Sequence, residues 1–144
     1  MTNAQTVFEL AMHLMGEGNE STGSTDTADT KEYKNRTLAL LNVLRGDCFP
    51  YSDTYEVTEP GKRPICPAIN DFVTPIGLDD GICQSVLPYG LAAHLLLDEN
   101  PDQAAFFQQR YEEELALVGR QMPNEGGEIA DLYGGIGLGE FGRW

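Results

Sequence analysis

The chain has 144 residues, of which 41% are hydrophobic, and this length and composition predict one domain with one core. Nine basic residues against 23 acidic ones give a net charge of -14, which argues against affinity for the phosphate backbone of nucleic acids or for an anionic membrane surface. The amino terminus, MTNAQTVFEL, has neither a basic leader nor a long apolar run, so we expect no export signal.

A first amphipathic helix is predicted over residues 3–15. Its apolar residues recur at helical spacing and form one broad face, made of Val7, Phe8, Leu10, Ala11, Met12, Leu14 and Met15. Gly16 and Gly18 end this helix, and the polar run from 16 to 30 has no means of burying itself. We expect a mobile loop there.

A second helix is predicted from a cap at Asp29 or Thr30 to about Arg45, with a core face of Tyr33, Thr37, Leu40, Leu41 and Leu44. Four of the nine basic residues lie in this segment, namely Lys31, Lys34, Arg36 and Arg45. The simpler interpretation of these charges is a solvated face. The alternative is a contact between subunits, made against the acidic last helix of a neighbouring copy.

The segment 48–77 changes in character, because prolines at 50, 60, 64, 67 and 75 exclude a long helix. Thr54–Thr58 alternates like a strand, Glu59–Lys62 has the proline and glycine of a turn, and residues 63–65 can return beside the strand. We therefore predict a proline-rich loop or β-hairpin insertion. A lone hairpin is marginally stable in water, so it should lean on the helices or on a neighbouring subunit. Lys62 and Arg63, near its tip, are candidate contact residues.

The segment from Asp79 to Asn100 is the most apolar part of the chain, and a helix that is apolar on nearly every side must be wrapped by other segments. Asp79 or Asp80 is expected to cap its start. Pro88 predicts either a kink in one helix or two short helices that meet at Leu87 and Pro88. Gly90 gives a neighbouring element room to approach the bend closely.

A last helix is predicted to begin at Asn100-Pro101, which combines a capping side chain with proline at the first helical position. Its apolar stripe consists of Ala104, Phe106, Phe107, Tyr111, Leu115 and Val118, and its outer face carries Glu112, Glu113 and Glu114. The connection to the preceding helix is so short that the two must be antiparallel neighbours.

Residues 121–144 form a predicted extended arm, in which five glycines between 134 and 142 argue against a helix. A purely disordered tail would not be expected to hold so many large apolar side chains. The segment is typical of an arm that folds onto a partner, and the alternative is that it packs back over its own helices. The candidate partner-binding residues are Leu132, Tyr133, Ile136, Leu138, Phe141 and Trp144.

Together these elements predict an all-α protein: a four-helix bundle domain over residues 1–120, with the insertion at about 48–77, followed by the arm. Cys48, Cys66 and Cys83 form no CxxC pair and have no accompanying histidine cluster. We expect them to be buried thiols in a reducing compartment, with no zinc site.

The sequence shows no catalytic or cofactor-binding constellation, and we expect the protein not to be an enzyme. Gly137–Gly142 matches GxGxxG, but the strand before it and the helix after it that dinucleotide binding needs are both missing. His13 and His94 lie on predicted helices with no ligand at metal spacing. Glu112, Glu113 and Glu114 are consecutive and point in different directions around a helix. We predict no catalytic, cofactor or metal residues.

Three stretches of the chain, VLPYGLAAHLLLDENP, FFQQRYEEEL and the ending DLYGGIGLGEFGRW, and the order of its elements resemble the small head-tail connector (adaptor) proteins of tailed bacteriophages, in the siphovirus type. The resemblance implies a helical subunit that assembles with about eleven other copies into a ring beneath the portal protein. The arm would reach toward the portal, and the ring would support the next neck or tail component. The long polar loop and the three cysteines are departures from this pattern.

The resemblance also implies a place in the neck of the virion, with assembly in the host cytoplasm and no membrane contact. DNA would pass through the ring without specific binding, and an acidic lumen suits that because it repels phosphates. A second hypothesis, motivated by the charge of -14, is an acidic inhibitor or DNA mimic that binds a host nucleic-acid enzyme. Its weakness is that the carboxylates are scattered rather than set in rows.

Overall fold

A computed structural model describes residues 1–56 and 59–121, and these residues are mostly helical, with no strand among them. The helices are α1 (Ala4–Met15), α2 (Lys31–Cys48), α3 (Asp80–Ser85), α4 (Leu87–Leu96) and α5 (Pro101–Arg120), with a short 3-10 helix at Phe49–Tyr51 after α2. The predicted all-α class is thereby confirmed. The predicted arm lies outside the described residues, apart from Gln121.

Side-chain caps lie at the starts of α1, α3 and α5, and those at Asp79 and Asn100 were predicted. The cap predicted for α2 at Asp29 or Thr30 is wrong, because Thr30 precedes the helix without a side-chain capping bond. The Oδ1 atom of Asn3 accepts a hydrogen bond from the amide of Thr6 at 3.0 Å, and that of Asp79 accepts from the amide of Ile82 at 2.9 Å. Asn100 accepts from the amide of Gln103 at 3.2 Å. Each bond satisfies one of the amide groups that a helix leaves without an internal partner.

The boundary between α3 and α4 decides between the two predictions made for Pro88. α3 ends at Ser85 and α4 begins at Leu87, so the chain forms two helices separated by a single residue, Val86, whose backbone is still in the helical region. Pro88 occupies the first turn of α4, where a missing amide hydrogen breaks no helical hydrogen bond. The proline therefore starts a helix here.

Helix α4 is wrapped on almost every side, as its sequence predicted. One side, formed by Leu87, Leu91 and Leu95, is fully buried in the main core with residues of α1 and α2. The other side packs against α5 through Ala92, Ala93, Leu96, Ala104 and Phe107. His94 is the exposed exception within the helix. This arrangement confirms that α4 and α5 are packed neighbours.

Two residues that were predicted to face the core lie at the surface instead. Leu14 is in the last turn of α1, beyond Met12, the last fully buried residue of that helix. Phe106 is 57% exposed, whereas the next residue, Phe107, is buried. Adjacent residues are about 100° apart around a helix, so only one of the two aromatic rings can face α4.

The proline-rich segment is a loop held on α2 by polar side chains. Asn42 exchanges two hydrogen bonds with the backbone of Ile69, at 2.9 and 3.0 Å. The buried guanidinium group of Arg45 donates to the carbonyl oxygens of Ile76 and Pro67. Because Arg45 is buried and bonded within its own chain, both interpretations of the basic residues on α2, a solvated face and a subunit contact, are wrong for this residue.

The predicted turn at the tip of this segment is present, with the amide of Lys62 donating to the carbonyl of Glu59 at 3.3 Å. Gly61 has φ of 78°, a left-handed conformation that glycine adopts without strain. Residues 54–56 and 63–65 form no strand, and residues 57 and 58 lie outside the described part. The strand pairing predicted for a β-hairpin is therefore not seen in the described residues, and the loop alternative fits them.

The cysteines match their prediction in two cases of three. Cys48 and Cys83 are buried free thiols, whereas Cys66 is partly exposed. Burial raises the pKa of Cys48 to about 11 and that of Cys83 to about 12. The buried thiols are therefore held in their neutral form.

Candidate assembly surfaces

An open apolar groove lies where α2, α4 and α5 meet, and we call it the α2–α4–α5 groove. Its volume is about 530 Å³. Its lining consists of Val43, Asp47, Ala93, His94, Leu97, Pro101, Ala104, Ala105 and Gln108. Most of these side chains are apolar, and the three polar ones come from three different helices.

The groove exists because small side chains meet between two closely packed helices. Ala93 of α4 and Ala104 of α5 are buried, and their small size leaves a trough above them. Val43 and Leu97 project into the solvent and are 63% and 59% exposed. Apolar surface left in water costs roughly 25 cal/mol per Å², and contiguous exposed patches often mark sites of docking. The groove is therefore the strongest candidate contact surface of the helical body.

Asp47 at the margin of the groove is linked to the core through Tyr111. The hydroxyl of Tyr111 donates to a carboxylate oxygen of Asp47 at 3.4 Å, and it lies 3.7 Å from the sulfur of Cys48. Burial, and then the neighbouring Cys48 and Asp47, raise the pKa of Tyr111. The phenol therefore remains a neutral donor to Asp47, which lines the groove.

A second candidate surface surrounds the predicted tip residues. Two shallow cavities of about 280 and 290 Å³ share Phe49, Pro64 and Cys66, and Arg63 lines the second of them. Lys62 is exposed and pairs with Glu59 at 3.1 Å. Ile65 beside them is 84% exposed. The structure thus places Lys62 and Arg63 at the surface, near an unburied apolar side chain.

The acidic outer face of α5 is partly neutralised within the helix. Arg110 pairs with Glu113 at 3.3 Å and with Glu114 at 3.1 Å, while Gln108 donates to Glu112 at 3.2 Å. Exposed pairs of this kind contribute little to stability. Glu112 and Glu113 are exposed, as the sequence predicted, whereas Glu114 is half-buried.

The two histidines and the other potential metal ligands do not come together in the described part of the chain. His13 and His94 are exposed on α1 and α4, and no group of three His, Cys, Asp or Glu side chains in residues 1–56 and 59–121 is arranged to hold a metal ion. Over the same ranges, no helix is long and apolar enough to cross a membrane. The predicted partner-binding residues Leu132, Tyr133, Ile136, Leu138, Phe141 and Trp144 lie outside the described residues.

Sequence reasoning missed the groove, although one of its two main walls carries a recognisable signal. Val43 lies between Leu41 and Leu44, which are both buried, and it is an apolar residue on the outward face of α2. Leu97 was counted with the apolar run of the central segment. An apolar residue outside the core stripe of a predicted helix is the signal that could have identified Val43, whereas Leu97 lies in a segment with no polar face for it to interrupt.

Comparisons of the chain with protein-family models, with curated proteins and with solved structures found no match.

Proposed function

We propose that this protein is a structural virion component, a head-tail connector or adaptor of the siphovirus type. About twelve copies form a ring below the portal protein, join the capsid to the tail and let DNA pass through the lumen. The protein works in the neck of the virion, after assembly in the host cytoplasm, and it has no catalytic role, cofactor or membrane contact. The next neck or tail component binds the ring on the side away from the portal.

The observation that carries this proposal is an acidic helical subunit with apolar side chains left exposed on separate faces. Val43 and Leu97 are exposed in the α2–α4–α5 groove, and Ile65 is exposed beside the loop tip. A subunit of a closed ring needs two contact faces, one for each neighbour. The resemblance of residues 86–111 and 131–144 to connector proteins supports the same assignment.

The finer architecture belongs to the proposal as well. Taken together, α3 and α4 count as one interrupted helix, which with α1, α2 and α5 gives a four-helix bundle with a proline-rich insertion. Residues 121–144 form the extended arm, and its apolar side chains bind the portal or a neighbouring subunit. Lys62 and Arg63 contact the adjoining component at the loop tip.

Size-exclusion chromatography with light scattering, performed on the protein alone and with portal protein, tests the assignment. We expect either a ring or an assembly that depends on the portal. A variant that lacks residues 129–144 should keep its helical circular dichroism and lose docking to the portal. A full-length chain that stays monomeric and ignores the portal would contradict the proposal, and normal docking by the truncated chain would contradict the role of the arm.

The alternative function is an acidic inhibitor or DNA mimic that binds a host nucleic-acid enzyme. The net charge of -14 favours it. The pairing of Arg110 with Glu113 and Glu114 weakens it, since those carboxylates form no uninterrupted anionic row. A tight complex with a nuclease or polymerase, in the same chromatographic assay, would favour this alternative over the connector.

A further inference from the structure

The α2–α4–α5 groove has the shape of a receptor for bulky side chains. Its floor is made of alanines, its walls are Val43 and Leu97, and none of its lining residues is a phenylalanine, tyrosine or tryptophan. An aromatic side chain buries about 150–250 Å² of surface when it enters such a trough. The high exposure of Val43 and Leu97 shows that nothing in residues 1–56 and 59–121 covers the groove.

The remaining chain carries side chains that fit this trough. Phe141 and Trp144 lie close together near the carboxyl terminus, and Leu138 precedes them. Glycines separate these large residues, so the backbone can turn each side chain toward a surface without steric hindrance. An alanine-floored trough and a glycine-spaced aromatic segment are complementary in size.

One charge of the segment complements the groove, although residues 129–144 also carry the acidic Asp131 and Glu140. Arg143 is the only basic residue between 129 and 144, and it lies beside Trp144. The groove has Asp47 in its lining, and two exposed carboxylates are next to lining residues in the chain: Asp98 follows Leu97, and Asp102 follows Pro101. Placing Trp144 in the trough would bring the Arg143 guanidinium near these carboxylates, which favours an ion pair at the rim.

The chain is long enough to reach. From Gln121 back along α5 to Gln108 the distance is about 20 Å at the rise of an α-helix. The 23 residues after Gln121 can span up to roughly 75 Å when extended, so Phe141 and Trp144 reach the groove with slack. A tethered segment of this length has an effective concentration on the order of millimolar. In dilute solution the segment therefore meets the groove of its own chain far more often than the groove of another molecule.

We propose that, in the free subunit, residues 129–144 dock into the α2–α4–α5 groove of their own chain, with Phe141 and Trp144 over the alanine floor and Arg143 toward Asp47. This contact covers the groove before assembly. A partner that recruits the segment must displace it from the groove. The inference goes beyond the proposed function and requires neither a ring nor a portal.

Trp144 is the only tryptophan of the chain, so its fluorescence reports on this contact directly. In the dilute full-length protein, selectively excited Trp144 should be several-fold less accessible to acrylamide than in the urea-unfolded chain. Its emission maximum should also be blue-shifted. Trp144 quenched as readily as in the unfolded chain would overturn the proposal.

Three single substitutions locate the contact. Val43→Lys and Leu97→Lys place a charge on the groove walls, and Ala105→Lys fills the trough from an exposed position of α5. Each should raise the quenching of Trp144 toward the unfolded value while circular dichroism stays unchanged. The matched control is Ile65→Lys, since Ile65 is equally apolar and even more exposed but lines a different cavity, and it should change nothing.

Concentration dependence distinguishes the same chain from a second copy. Quenching that is independent of protein concentration, with a monomeric mass by light scattering, supports docking within one chain. If Trp144 is protected from acrylamide only when the protein dimerises, the contact within one chain is overturned and the segment is assigned to a neighbouring copy. Protection that survives all three groove substitutions overturns the groove as the docking site. None of these readings depends on portal binding, so the connector function can fail while this contact holds.

Discussion

Gly90 of α4 lies directly against the ring of Tyr111 on α5: a Cβ atom built on Gly90 would be 2.9 Å from Cδ2 of Tyr111 and 3.1 Å from Cδ2 of Leu44. The absence of a side chain at this one position lets α2 and α5 both approach α4. Tyr111 thereby comes close enough to Asp47 and Cys48 to place its hydroxyl between them.

Gly90→Ala should destabilise the protein even though alanine is the better helix former. Overpacking of a close contact costs about 1–3 kcal/mol, and the gain in helix propensity offsets about 1 kcal/mol of it. We expect the free energy of unfolding in urea to fall by up to about 2 kcal/mol. Gly46→Ala is the matched control, because Gly46 also lies in a helix but has nothing within 4 Å of its Cβ position. That control should be neutral or more stable, and a destabilised control would refute the steric explanation.

The features that sequence predicted well depend on neighbours in the chain. Asn100 caps α5 through an amide three residues away, and Asp79 caps α3 in the same manner. The burial of α4 was predictable because its own residues are apolar on nearly every side. All the residues that produce these features lie within one short stretch of the sequence.

The features that sequence predicted poorly depend on distant partners. Arg45 was counted as a surface charge because nothing near it in sequence indicates that it bonds Ile76, which is 31 residues away. Phe106 and Phe107 are the same residue type, so composition cannot tell which of them is buried. Phe107 is buried because its side of α5 faces α4. The groove likewise needs three helices to meet before Val43 and Leu97 become its walls.

Replacing Arg45 should detach the proline-rich loop. Arg45→Met keeps an unbranched apolar stem but leaves the carbonyls of Ile76 and Pro67 without their donor, at a cost of about 2–4 kcal/mol in the free energy of unfolding. Urea denaturation measures this loss. Lys31→Met on the same helix is the control, since Lys31 is exposed, and its effect should stay within about 0.5 kcal/mol. Equal effects of the two substitutions would contradict the anchoring role.

The buried thiols predict a loss of stability in alkali. Burial raises the pKa of Cys83 from its ordinary 9.0 to about 12, so between these pH values the unfolded chain releases a proton that the folded chain keeps. The free energy of unfolding is therefore unaffected below pH 9 and falls as the pH rises toward 12.

Cys83→Ala should make that fall less steep, by up to about 1.4 kcal/mol per pH unit for one proton. Urea titrations at a series of pH values give the slope, and slopes are compared because the substitution also alters packing. Cys66→Ala is the control: partial burial raises the pKa of this thiol as well, but the thiol is partly exposed and Arg45 opposes the rise, so the slope should change less. A larger change for Cys66 than for Cys83 would contradict burial as the cause.

Leu95 and Leu97 are only two positions apart in the chain, but substitution by a charged residue should unfold the protein at Leu95 and be tolerated at Leu97. Leu95 is fully buried in the core around α4, whereas Leu97 is 59% exposed in the groove. Leu95→Asp places a carboxylate in an apolar environment, which costs several kcal/mol, a large part of the roughly 5–15 kcal/mol that stabilises a domain of this kind. Circular dichroism should show loss of the folded helical signal for Leu95→Asp, while Leu97→Asp should keep it. If Leu97→Asp unfolded the protein as readily as Leu95→Asp, the groove would have to be part of the core, and a folded Leu95→Asp would mean that α4 is not wrapped as described.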